Sequence, residues 1–128
     1  MLKITYTENG FYLERLTASL ETWLANRVLV CLRASAAITV EPSTASLLLP
    51  LDLPYFRDLE AIKNRSNGVI QLDLCDDYSV EVSLQGTWVA TNEDSEEGIF
   101  VCSLEDQTEF FLYQLWKEGN INPSFIEE

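Results

Sequence analysis

The stretch Val69–Leu104 reads VIQLDLCDDYSVEVSLQGTWVATNEDSEEGIFVCSL, and its reading decides the fold. Ile70, Leu72 and Leu74 alternate with Gln71, Asp73 and Cys75, and after Asp76-Asp77 the residues Val80, Val82 and Leu84 alternate with Glu81, Ser83 and Gln85. A period of two is the mark of a strand with one buried face. Gly86 is expected to mark a bulge. Thr87–Ala90 continues the strand, and Ile99–Leu104 returns as a third strand after the loop TNEDSEEG (91–98). The stretch is therefore a β-meander, and Asp73 and Glu81 fall on one solvated face, where neighbouring like charges cost stability.

This half of the chain also carries the charge imbalance. Residues 1–68 hold seven acids and seven bases, whereas residues 69–128 hold fourteen acids and one base, Lys117, which accounts for the whole net charge of −13. The acids gather at Asp73, Asp76, Asp77 and Glu81 and again at Glu93, Asp94, Glu96 and Glu97. Nucleic acid is excluded as a direct ligand, because its phosphates need Lys and Arg and residues 66–116 contain neither.

N-terminal to the meander, Leu2, Ile4 and Tyr6 alternate with polar residues and Asn9-Gly10 follows, predicting a hairpin with a type I′ turn and a second strand over Phe11–Leu16. Ser19 can cap a helix of about 20–34 whose Leu20, Trp23, Leu24, Val28, Cys31 and Leu32 keep helical spacing; Val28-Leu29-Val30 would also suit a strand. Ala36–Glu41 reads as a short strand ended by Pro42, and Ser43–Leu51 as an edge or extended segment. Asp52 and Pro54 open a second helix over about Leu53–Asn64, which Ser66-Asn67-Gly68 stops. Beyond the meander, Asp106 and Glu109 have capping-box spacing for a helix of about Gln107–Glu118, closed by Gly119. That helix is apolar nearly all round, so it is either core or shared with a second copy as a homodimer. INPSFIEE (121–128) reads as irregular.

These elements predict one α+β domain over residues 1–128: an antiparallel sheet of the N-terminal hairpin and the acidic meander, with about three helices packed on it. A chain of 128 residues with 47% hydrophobic content can build such a core without disulfides. The three cysteines, Cys31, Cys75 and Cys102, are an odd number inside apolar segments, which suits buried, reduced thiols in the cytoplasm. No apolar run is long enough for a membrane span, and no signal peptide is seen.

The chain has no histidine, which removes imidazole bases, His-dependent nucleophiles and histidine metal ligands. No GxGxxG, GxxxxGK[ST] or CxxC motif is present, so no cofactor is implied and an enzyme is not expected. The expected function is a non-enzymatic interaction or regulatory module whose acidic face, residues 73–106, meets a basic protein partner. Three alternatives stand beside it. The 92–97 loop could hold a cation through its carboxylates, although its acids lack the alternating ligand pattern of Ca²⁺ loops. The acids could mimic DNA, although they concentrate in loops rather than a regular array. They could also serve solubility alone.

The segments VEPSTASLLLPLDLP (40–54), SLQGTWVATNEDSEEGIFVC (83–102) and EFFLYQLW (109–116) resemble a small acidic protein family of cyanobacteria. The resemblance implies a cytoplasmic bacterial protein and carries over no catalytic residue.

Overall fold

The computed structural model describes residues 1–52, 70–91 and 97–126. Seven strands form one antiparallel sheet: β1 (Leu2–Thr7), β2 (Gly10–Arg15), β3 (Thr39–Pro50), β4 (Ile70–Leu74), β5 (Ser79–Ala90), β6 (Gly98–Cys102) and β7 (Asn122–Ile126). The described helices are α1 (Leu20–Arg33) and α2 (Asp106–Lys117). Strand makes up 49% of the described residues, so the fold is mostly antiparallel β, a curled half-barrel with two described helices, and not an α+β sheet carrying about three helices. The helix expected over Leu53–Asn64 lies outside the described residues.

The strand order is β2-β1-β6-β5-β3-β7, with β4 pairing only with β5. Its spine is the β3–β5 ladder, in register from Thr39↔Ala90 to Pro50↔Ser79. Neither Pro42 nor Gly86 interrupts it, so the two expected pieces around Pro42 are one strand and the expected bulge is absent. Pro42 is tolerated because β7 covers β3 only from Thr44 to Leu48. At Pro42 the strand therefore has a neighbour on one side, the edge context in which a missing N–H need not break a ladder. Gly86 has a different role. A Cβ there would collide with the Val101 carbonyl and come within 2.7 Å of the Phe100 ring.

The expected three-strand meander is also rearranged. β3 occupies one flank of β5 throughout, so β4 (Ile70↔Leu84 to Leu74↔Val80) and β6 (Thr87↔Val101 to Val89↔Ile99) share the other flank end to end. β6 then pairs with β1 as well, from Leu2↔Cys102 to Tyr6↔Gly98. The segment expected to be irregular supplies β7.

Side-chain contacts show the curl. Tyr6 on β1 and Phe125 on β7 are separated by three strands in the sheet, yet their rings lie 5.8 Å apart. Trp88 on β5 touches both, at 5.9 Å from Tyr6 and 4.1 Å from Phe125. Such edge and tilted pairs add about 0.5–1.5 kcal/mol each beyond the area they bury. The concave face also buries Leu2, Ile4, Leu47, Val82, Leu84 and Phe100 completely, worth roughly 1.5–3 kcal/mol per large side chain.

The N-terminal turn is centred on Glu8-Asn9, since Thr7 pairs with Gly10. Neither central residue has positive φ, so the turn is not type I′. Thr7 Oγ1 secures it, accepting from the Asn9 amide (3.3 Å) and donating to the Gly10 carbonyl (3.1 Å). Ser19 caps α1 as expected, accepting from the Thr22 amide at 3.2 Å. The helix is lightly attached, with Cys31 its one buried residue. α2 begins one residue earlier than expected, and its N-cap, Glu105, makes no side-chain bond. The capping box does not form because Glu109 has another partner. Its carboxylate pairs with the Met1 ammonium (2.9 Å) and accepts from the Leu104 amide (3.4 Å), with only 2% of its side chain exposed. The same ammonium donates to the Leu16 carbonyl at 2.9 Å. Gly119, at φ +80°, closes the helix, with the Asn120 amide donating to the Leu115 carbonyl. Leu112 and Leu115 enter the core while Phe110 stays 52% exposed, so α2 has one inward face rather than an apolar circumference.

Removing the Glu109 carboxylate strands a buried ammonium. Glu109→Ala is expected to destabilise the fold by about 3–5 kcal/mol, read as a lowered urea midpoint with unchanged slope; a midpoint within error of the parent contradicts the buried pair.

Candidate functional site

The β4–β5 hairpin is built around Asp76. One oxygen, Oδ1, accepts from the amides of Tyr78 (2.7 Å) and Ser79 (2.8 Å) and from the Ser79 hydroxyl (2.9 Å). These bonds favour the ionised form, so the Asp76 carboxyl is held below the usual carboxylate range, the Tyr78 amide contributing most. Asp76 is thus a turn-forming residue, an Asx turn that aims its neighbours outward. Tyr78 is 82% exposed and Leu74, at the end of β4, 74% exposed. Alternation along β4 places Leu74 with Ile70 and Leu72 on an inward face, but β3, β5 and the core no longer cover it at the tip. Asp77 is exposed beside Tyr78.

Asp73 and Glu81 stand directly opposite each other in the β4–β5 register. Glu81 is half-buried and held by weak donors, with Ser46 and Ser83 hydroxyls each at 3.4 Å and the Cys75 thiol at 3.9 Å. The ion pairs among the described residues are Met1–Glu109 and Lys3–Glu14, so no described cation neutralises Asp73, Asp76, Asp77 or Glu81.

The structure brings these four acids to one end of β5. Glu97 is at the other end, where its carboxylate accepts from the Glu8 amide at 2.9 Å beside the β1–β2 turn. The twelve residues of β5, at roughly 3.4 Å per residue, put its two ends at most about 37 Å apart. Glu93, Asp94 and Glu96 lie outside the described residues. Among the described residues no three Asp, Glu or Cys side chains converge as a metal site. No helix among them is long and apolar enough to cross a membrane.

The residues that sequence reasoning missed here are Leu74 and Tyr78. Tyr78 carried a signal, an aromatic beside two turn acids; Leu74 carried a misleading one. Of the three cysteines, expected to be buried and reduced, Cys75 alone departs from that by being exposed; all are free, and Cys31 and Cys102 are buried. Burial, and then the Glu109 charge, push the Cys102 thiol up to about 12. The Cys75 thiol is raised by desolvation and then by the Glu81 and Asp76 carboxylates.

The Alr0857-like family model matches residues 1–120, and the chain belongs to that family. No curated protein and no solved structure matches it.

The acidic field around Cys75 is open to a direct chemical test. Iodoacetamide should label Cys75 alone in the folded protein, more slowly at pH 8 than a model thiol, because a raised pKa leaves less thiolate. Glu81→Gln should accelerate that labelling; an equal or slower rate would contradict the electrostatic coupling.

Proposed function

We propose that this protein is a non-enzymatic interaction module that docks a basic protein partner through the β4–β5 hairpin. One observation carries the reading: Leu74 and Tyr78 are exposed on a hairpin ringed by Asp73, Asp76, Asp77 and Glu81, none with a described cation partner. An aromatic and an aliphatic anchor inside a charged rim is the common anatomy of a protein interface. The rim would steer encounter with a positive surface and exclude negative competitors. Asp76 fixes the loop through backbone bonds, so the anchors are presented without a large ordering cost.

The placement of the charge favours this reading over DNA mimicry, since a mimic presents a regular row of carboxylates, whereas Asp73, Asp76, Asp77 and Glu81 gather at one end of β5 and Glu97 at the other. The absence of histidine and of any phosphate-binding motif supports a binding role over catalysis.

Affinity purification from native lysate, repeated with Asp73→Lys/Asp77→Lys and with Tyr78→Ala, tests it. Both variants should lose the proteins that the parent retains. With the purified partner, Tyr78→Ala is expected to weaken binding by about 2 kcal/mol or more, and binding should fall as salt rises. A partner set indifferent to both variants overturns the reading.

A further inference from the structure

β4 pairs with β5 along one side and with no described strand along the other. The bond from the Cys75 amide to the Ser79 carbonyl, at 3.1 Å, fixes which of its backbone groups are spare. Those two residues are a bonded pair, and antiparallel pairs alternate between bonded and non-bonded. Asp73 opposite Glu81 is then bonded as well, whereas Leu72 opposite Val82 and Leu74 opposite Val80 are not. The amides and carbonyls of Leu72 and Leu74 therefore point away from β5.

Toward the hairpin tip this edge is open. Ile70, at its start, is 2% exposed, but Leu72 is half-buried, Asp73 and Cys75 are exposed, and Leu74 is 74% exposed. Natural edges are guarded by Lys, Pro or a bulge. The strand IQLDL has neither residue, and its one charge is Asp73. Asp73 shares a face with Glu81 across the ladder, while Leu72 and Leu74 share the other with Val80 and Val82. A strand laid along β4 thus meets carboxylates on one face and an uncovered leucine on the other.

We propose that β4 accepts an extended basic segment of another protein as an added strand. This rests on the docking reading above and gives the partner a conformation. Alternate Lys or Arg side chains lie beside Asp73 and Glu81, and the apolar side chains between them cover Leu74. Backbone bonds to Leu72 and Leu74 supply affinity, and the alternation supplies selection. The net charge of −13 favours this occupant over a second copy. Adding β4 to the β4 of another copy would bring Asp73, Asp76 and Asp77 against an identical acidic set, so the charge that draws a basic strand keeps copies of this chain apart.

The test uses the full chain and three synthetic heptapeptides: KVKVKVK, KKVVVKK of the same composition without alternation, and EVEVEVE. KVKVKVK should bind, KKVVVKK more weakly and EVEVEVE not at all. On binding, the Leu72 and Leu74 amides should become protected from hydrogen exchange, while those of Asp73 and Cys75, already bonded to β5, keep their rates. N-methylation of one alternate set of KVKVKVK amides should weaken binding roughly tenfold or more, as loss of backbone hydrogen bonds does, and methylation of the other set should be tolerated. Leu74→Pro removes an amide that β5 does not use. It should therefore unfold close to the urea midpoint of Leu74→Ala, yet bind KVKVKVK far less well than that variant. No binding of KVKVKVK, indifference to both sets of N-methyl groups, equal affinity of Leu74→Pro and Leu74→Ala, or binding of EVEVEVE would each overturn strand addition. Those results leave the docking reading standing, because Tyr78→Ala and Asp73→Lys/Asp77→Lys decide it.

Discussion

Two twelve-residue strands, β3 and β5, hold each other in register over their whole length, and the rest of the molecule is placed by that ladder. A one-residue slip would turn either Ala45, Leu47 and Leu49 or Val80, Val82 and Leu84 outward, so the register is fixed by every buried pair at once. β5 then offers its free flank to β4 and β6 in succession, and β6 hands the sheet on to β1 and β2. Because strands twist, a sheet of this width either curls or splays. Here Tyr6, Trp88 and Phe125 close the curl from inside, joining strands that never share a hydrogen bond.

The same ladder explains what could be read from the sequence. Alternation located β1, β4 and β5 because each has one face in the core and a period of two survives translation into residues, and the Asn9-Gly10 turn signal located β2. The Ser19 cap and apolar spacing located α1 for an equally local reason. The errors are where local grammar and tertiary context disagree. Pro42 looks like a terminus, but it lies inside β3 because β7 leaves that side of the strand open. NPSFI alternates polar Asn122 and Ser124 with inward Pro123 and Phe125, but its proline argues against a strand; Pro123 is accommodated because it pairs with Leu47 at the sheet's edge, where a missing N–H is cheap. Glu109 matches a capping box, but a buried ammonium is a stronger claimant for its carboxylate than an exposed backbone amide.

The candidate site was half legible for a similar reason. Counting charge found the acidic half of the chain, but a count has no geometry. The ladder puts Asp76 and Glu97 at opposite ends of β5, a separation that no count of charge conveys. The apolar member of the site was invisible by alternation, since Leu74 keeps the period of a core residue and loses its cover only because β4 stops there.

What the fold does with like charge is the more telling feature. Asp73 and Glu81 face each other across β4 and β5, a pairing that costs stability and that a single Lys at either position would relieve. Glu81 is not left to drift away from its neighbour. Ser46 from β3, Ser83 from its own strand and Cys75 from the hairpin all direct weak donors at it, which anchors the charge near the surface in place of neutralising it. Asp76 is held in its ionised form by three donors of its own. Hydrogen bonds that stabilise carboxylates without cancelling them keep the field of this hairpin intact, and an uncancelled field next to exposed Leu74 and Tyr78 costs less in contact with a positive surface than in the free protein.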